Sequence, residues 1–307
     1  MIGPYKTPQA FRVALETRLR QTAQERGVDL QRLQRQVAFE RLMARLFANE
    51  IPPWLLKGGY SLELRLPGRA RSTVDLDLSI PDPACIPQAI VATGPDDFRS
   101  SAFDHVQKMA ERDLDDGFQF LIHQPKTELT GAPGGGFRCQ VEARLASRVF
   151  ARFHLDIALG DSVAGPFDWI TGGDLLAFAG IPPARIAVYP LAQQFAEKIY
   201  AYTFPWRDRE NTRVKDLVDL VLLIDSGLLP LSDLRSAVAV TFAVRDTHPA
   251  LASLPLPPLS WSSAYDALAK DLGLSARTLA KAYDTLQSFW QECELGLDSL
   301  AEEAQQP

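Results

Sequence analysis

Residues 56–78 read LKGGYSLELRLPGRARSTVDLDL, and two features within them decide how the chain is to be understood: paired glycines ahead of a short helical pattern, and two aspartates one residue apart on a strand. In Val74-Asp75-Leu76-Asp77-Leu78-Ser79-Ile80 a period of two sends Val74, Leu76, Leu78 and Ile80 to one face and both aspartates to the other. The two carboxylates then share a face roughly 7 Å apart along the strand. So placed they can hold Mg²⁺, which prefers hard oxygen ligands and keeps positions open for substrate phosphates. Gly58 and Gly59 let backbone N–H groups at a helix start approach a phosphate closely. Lys57, Arg69 and Arg71 add charge of the matching sign. A solvated sheet face tolerates Asp-x-Asp as well, but it requires neither glycines nor the order glycines, helix, Arg-x-Thr-x-Asp-x-Asp. The stretch therefore predicts metal-dependent nucleotidyl transfer.

The rest of the chain narrows the class of protein. With 307 residues, 46% of them hydrophobic, it is long enough for two domains and can build a sizeable core. A net charge of −6 excludes a strongly basic nucleic-acid coat. Between Phe11 and Leu46, however, Arg12, Arg18, Arg20, Arg26, Arg32, Arg35, Arg41 and Arg45 face only Glu16, Glu25, Asp29 and Glu40, so this segment can meet an RNA backbone or form a solvated helix face. Cys85, Cys139 and Cys293 are widely spaced and odd in number, which predicts free thiols in a reducing compartment. The four histidines show no zinc spacing. Nowhere do eighteen apolar residues run in succession, so a soluble, cytoplasmic protein without membrane contact is expected.

Apolar spacing predicts helices over 8–26 and 30–48, stopped by Ile51-Pro52-Pro53. A helix-like stretch around Phe103, Val106 and Met109 precedes a strand at Phe118–Ile122, and the glycine-rich run 131–136 reads as a loop between extended segments. A further strand, 152–159, alternates with Phe153, Leu155, Ile157 and Leu159 inward and His154 and Asp156 outward. Helices follow at 190–204, 212–226, 231–244 and 262–292. In the second of these the apolar stripe leaves Lys215, Asp216 and Asp219 on the remaining surface, where Lys215 and Asp219 could form a plain i,i+4 pair.

These residues resemble the AbiEii/MenT-like nucleotidyltransferase toxins, within the DNA polymerase β-type nucleotidyltransferase fold. Lys57-Gly58-Gly59-Tyr60-Ser61-Leu62 is similar to the family's Lys-Gly-Gly-(Thr/Ser)-x-Leu opening shifted by one place, and Arg71-Ser72-Thr73-Val74-Asp75-Leu76-Asp77 to its Arg-x-(Ser/Thr)-x-Asp-(Ile/Leu)-Asp run. Glu197-Lys198-Ile199 with Ala201 and Lys215-Asp216-Leu217-Val218-Asp219-Leu220 resemble two later motifs, in family order. Where the wider superfamily has Gly-Ser, Tyr60 here separates Gly59 from Ser61.

The resemblance implies an α+β protein: an N-terminal nucleotidyltransferase domain with a small mixed sheet over 1–188 and a helical C-terminal domain over 189–307. It implies Asp156 as third metal ligand beside Asp75 and Asp77. It further implies Lys198 as a triphosphate-binding charge and Asp216 as an acid/base or acceptor-positioning group, with Lys57, Gly58, Gly59, Ser61 and Arg71 on the nucleotide. The expected cofactor and co-substrate are Mg²⁺ and an NTP; the expected partners are an RNA acceptor, in several relatives the tRNA 3′ end, and a cognate antitoxin. In some relatives a hydroxyl at the place of Thr73 is phosphorylated, which here would put about −1.5 to −2 charge beside the aspartates. A small-molecule nucleotidyltransferase of the aminoglycoside type, a kinase-like use of the phosphate site and a non-catalytic binding module are the alternatives.

Overall fold

Leu76, Leu78 and Ile80 are completely buried while Asp75 and Asp77 remain half-exposed, as an alternating strand requires. Burying each of the three contributes roughly 2 kcal/mol. A slip of one residue would forfeit that and drive both carboxylates inward, so the pairing register is strongly fixed. Val74 differs from its expected place: the strand begins at Asp75, and Val74 lies before it, exposed.

The computed structural model of the protein describes residues 2–49, 51–82, 85, 95–129, 131–163, 165–206 and 210–295. The chain forms two compact units, one of Met1–Arg65, Ser72–Asp161 and Asp168–Val188, the other of Leu66–Arg71, Ser162–Phe167 and Tyr189–Pro307. The class is α+β, with a nucleotidyltransferase-type mixed sheet in the first unit and helices in the second.

In the first unit the helices are α1 (Pro8–Arg26), α2 (Leu30–Leu46), α3 (Gly58–Arg65) and α4 (Pro95–Ala110). The strands are β1 (Leu55–Lys57), β2 (Asp75–Ile80), β3 (Phe118–Ile122), β4 (Thr127–Glu128), β5 (Gly136–Leu145), β6 (Arg148–Leu159), β7 (Asp168–Thr171) and β8 (Arg185–Val188). Among the described residues they make one eight-stranded sheet of order β3-β5-β6-β2-β1-β8-β7, with β4 beside β5. β2 runs parallel to β6 and antiparallel to β1, so the aspartate strand is central and paired on both edges. The glycine-rich run is the loop between β4 and β5. The β5–β6 hairpin turns on Ala146 and Ser147, at φ +52° and +61°, a conformation that neither residue type announces. Arg12 from α1 steadies this turn, donating to the carbonyls of Leu145, Arg148 and Val149 at 2.8–3.0 Å.

The arginine-rich helices prove to be largely engaged within the unit. Arg41 Nε donates to Asp116 Oδ2 at 2.8 Å and Arg45 Nη2 to Asp116 Oδ1 at 2.7 Å, with Asp116 wholly buried. Burial alone would raise the Asp116 carboxyl, but the two guanidiniums outweigh it and hold the group below the usual range. Arg32 donates to Glu63 at 3.1 Å, and the Arg18 guanidinium lies 4.4 Å over the Phe178 ring. Arg32, Arg41 and Arg45 are thus engaged by acidic groups outside the segment, while Arg18, Arg20 and Arg26 of α1 are exposed. Cys85, Cys139 and Cys293 are free thiols.

The second unit holds α5 (Leu191–Thr203), α6 (Val214–Ser226), α7 (Leu231–Arg245), α8 (Ser262–Leu272) and α9 (Leu279–Glu292). α5 packs on α6 and α7, and α6 on α8 and α9. The single helix expected over 262–292 is two. Gly273, at φ +63°, caps α8 in the left-handed region, and the Thr278 hydroxyl accepts from Lys281 N to start α9. Ser275, between them, donates through N and Oγ to Asp225 of α6 at 2.8 and 2.6 Å.

Candidate active site

Strand register assembles the first group of site residues. Lys57 on β1, Asp77 on β2, Asp156 on β6 and Arg138 on β5 are consecutive cross-strand partners, forming one row across four adjacent strands. The next row on the same face is Asp75, His154 and Gln140. Neighbouring strands lie about 4.8 Å apart, so opposed side chains on one face are within each other's reach. His154 Nδ1 is 3.2 Å from Asp75 Oδ1. Asp156, expected on a strand beside the aspartate pair, stands directly opposite Asp77, but both its oxygens accept from Arg138, at 2.7 Å each.

Gly58 opens α3 at φ +68°, and a Cβ placed on it would come 2.0 Å from Asp77 Oδ2. The carboxylate thus rests against bare backbone, where only glycine fits. Gly58→Ala should therefore combine a left-handed alanine, costing about 1 kcal/mol, with displacement of the Asp77 carboxylate. We expect transfer to fall some ten- to a hundredfold with a loss of about 1 kcal/mol in stability; an assay alongside thermal unfolding checks both, and full activity would show that Asp77 does not need this seat.

Other expected contacts are arranged differently. Lys57 forms an ion pair with Asp161, a nearly buried carboxylate that also accepts from Ser79 Oγ at 2.9 Å. Gly59 is buried, and Ser61 has no exposed surface within α3. Thr73 precedes β2 rather than lying on it. Thr73 is buried, its N–H donates to Glu63 Oε1 at 2.7 Å and its hydroxyl to the Asp75 carbonyl at 3.2 Å. Glu63, which also accepts from Arg32 and Gln36, anchors the entry into β2; sequence reading missed it.

The second unit gathers another charged group. Arg71 donates from Nε and Nη2 to Asp219 Oδ1 and Oδ2 at 3.0 and 2.9 Å, a bidentate pair. Lys198 Nζ donates to Asp219 Oδ2 at 2.6 Å and to Asp216 Oδ1 at 3.2 Å. Asp219 is completely buried, not on the helix surface as its spacing suggested, so the plain surface pair with Lys215 left open by the sequence falls away. Burial raises the Asp219 carboxyl and lowers the Lys198 ammonium, yet in each case the opposite charge wins, so Asp219 lies below and Lys198 above its ordinary range. Asp216, in the first turn of α6, suits the positive end of the helix and also faces Arg213 at 3.7 Å.

Asp75 and Asp77 present the hard oxygen donors that a divalent cation takes. Among the described residues no three acidic, histidine or cysteine side chains converge as a ready metal cluster. The residues present thus fit a two-carboxylate site, with Asp156 adjacent and held by Arg138.

The family model described as the nucleotidyl transferase AbiEii toxin of type IV toxin–antitoxin systems matches residues 41–290, spanning both charged groups. The chain belongs to the AbiEii nucleotidyltransferase toxin family. It is therefore a toxin-type nucleotidyltransferase, a class of enzyme that uses an NTP and a divalent metal, and AbiEii membership implies an antitoxin partner. Among solved structures the chain is similar to MenT4, a nucleotidyltransferase toxin from Mycobacterium tuberculosis, with 19% identity and a TM-score of 0.48 over 87% of this chain and 91% of that one. No curated protein matches it. Among the described residues no helix is long and apolar enough to cross a membrane.

Proposed function

We propose that this AbiEii-family toxin transfers a nucleoside monophosphate from an NTP to a hydroxyl of RNA, with the tRNA 3′ end as acceptor and Mg²⁺ as the metal. The observation that carries the reading is the row of Asp77 and Asp156 beside Asp75 on one sheet face, with the α3 start at Gly58 against Asp77. Asp75 and Asp77 hold the metal, with Asp156 as the third carboxylate. When bound, the metal supplies neutralisation of charge on the phosphate oxygens. The backbone at Gly58 and Gly59, with Lys57, takes phosphate oxygens at the helix start. Lys198 contributes a point charge to the triphosphate, helped by Arg71, and Asp216 positions the acceptor.

The acceptor oxygen attacks the α-phosphorus, the bond from that phosphorus to the bridging oxygen breaks, and pyrophosphate leaves. Asp156 orients the attacking hydroxyl and takes its proton. Beyond the carboxylates the open face of β5 and β6 continues with Gln140, His154, Arg152 and Arg144, and Arg148 closes the hairpin. Three arginines against Glu142 make this continuation net positive, which favours an anionic acceptor over a polycationic aminoglycoside.

The test is incubation of the protein with total RNA and NTPs labelled at the α- or the γ-phosphate. Only α-label should be retained on RNA, in the tRNA fraction, and it should need added Mg²⁺. Retention of γ-label would replace this reading with phosphoryl transfer, and label on an aminoglycoside but not on RNA would replace the acceptor.

A further inference from the structure

Arg138 occupies a place that neither the sequence motifs nor the nucleotide chemistry requires. From β5 its Nε and Nη2 bind both oxygens of Asp156 at 2.7 Å, and Nη2 lies 3.8 Å from Asp75 Oδ2. Its side chain is 38% exposed, so the pair adds little to stability, since ion pairs this open to water contribute about 0–1 kcal/mol. The hydrogen bond that Arg138 donates to Asp156 comes first in holding the guanidinium firmly charged; burial opposes it, and the attraction of Asp156, Asp75 and Asp77 adds to it. Arg138 therefore does in part what a bound cation would do electrostatically: it offsets charge on carboxylates that otherwise repel one another on one face.

A divalent ion on Asp75 and Asp77 would meet a full positive charge beside it and would find Asp156 already engaged. An NTP changes the balance, because its phosphate oxygens accept a guanidinium in the same bidentate manner. We infer that Arg138 is a resident competitor for the divalent cation, which offsets part of the carboxylates' charge before nucleotide arrives so that metal binds tightly only together with the triphosphate, to whose phosphates the guanidinium transfers. The inference rests on the proposed role of Asp75 and Asp77 as metal ligands. Arg138 acts in it as a positioning residue, through Asp156.

The experiment is direct binding of Mn²⁺ to the full chain without nucleotide, followed by the paramagnetic resonance of free Mn²⁺. Arg138→Met should bind Mn²⁺ about tenfold or more tighter than the wild type, a gain in the direction that loss of a like charge demands. Arg138→Lys, which keeps the charge but loses the bidentate grip, should fall between. Adding Asp156→Asn to Arg138→Met should remove the gain. A residue that merely orients Asp156 as a ligand predicts the opposite sign, so weaker or unchanged Mn²⁺ binding by a folded Arg138→Met protein overturns the inference. Arg138→Gln repeats the measurement should Arg138→Met fail to fold. Asp77→Asn in the Arg138→Met background separates the two readings: loss of Mn²⁺ binding keeps the metal site standing whatever the fate of Arg138. Absence of Mn²⁺ binding by every variant, with or without ATP, would remove the metal site and the inference together.

Discussion

Replacing Asp77 with alanine should lower nucleotide transfer on the order of a thousandfold while leaving the protein at least as stable as before. The first half follows from the metal chemistry: neutralising charge in the transition state is worth several kcal/mol, and each 1.36 kcal/mol is a factor of ten. The second half follows from the row itself. Asp77 stands between Lys57 and Asp156, with Asp75 two residues away on the same face, so its removal relieves repulsion among carboxylates. Both halves are measured together by α-label incorporation and a thermal melt on one preparation. Transfer within tenfold of wild type in a folded Asp77→Ala protein would end the proposed mechanism.

The largest effect on stability is expected at Asp219. This carboxylate is completely buried and is gripped by Arg71 and Lys198, so Asp219→Ala leaves two cations without their shared counter-ion, at a cost of about 3–5 kcal/mol. The pH dependence gives a second signature. Asp219 titrates below its ordinary range when folded, so its contribution is present above the unfolded value of about 3.9 and is lost as pH falls through the lower folded value. Lys198 titrates above its range, so its contribution is present below about 10.4 and is lost as pH rises through the folded value. Urea unfolding at pH 7 should show the full deficit, and the gap between wild type and variant should narrow in acid. Lys215→Ala, one turn away and outside the network, should be nearly neutral. A deficit below 1 kcal/mol at pH 7 would mean that Arg71 and Lys198 find other partners at no cost.

The pattern of success in reading the chain follows the range of the information. The aspartate face of β2 and the inward set of β6 were legible because a period of two is local, and the family resemblance was legible because short runs carried it. β1, β7 and β8 have three or four residues each, too few to show a period, and gain their place from neighbours in the sheet. Asp219 looked like a surface residue because the helix stripe was judged from α6 alone. Its partners lie 21 and 148 residues away. Arg41 and Arg45 counted as free positive charge for the same reason, their acceptor Asp116 being 75 and 71 residues distant. Arg138 and Asp161 carry no motif, and only register or a folded turn reveals what they touch. The break at Gly273 was the one miss with a local signal, a glycine inside an otherwise continuous helical pattern.

The row Lys57, Asp77, Asp156, Arg138 takes its members from strands that end as late as Leu159, although its first residue is made a hundred positions earlier. A ribosome that has translated the glycines and both aspartates has still produced no complete row, and a chain cut short before β6 cannot build one. For a member of a toxin family the proposed carboxylate site is thereby tied to completion of β6: an N-terminal fragment lacks Asp156, and β2 waits for this partner until some eighty residues further have been made.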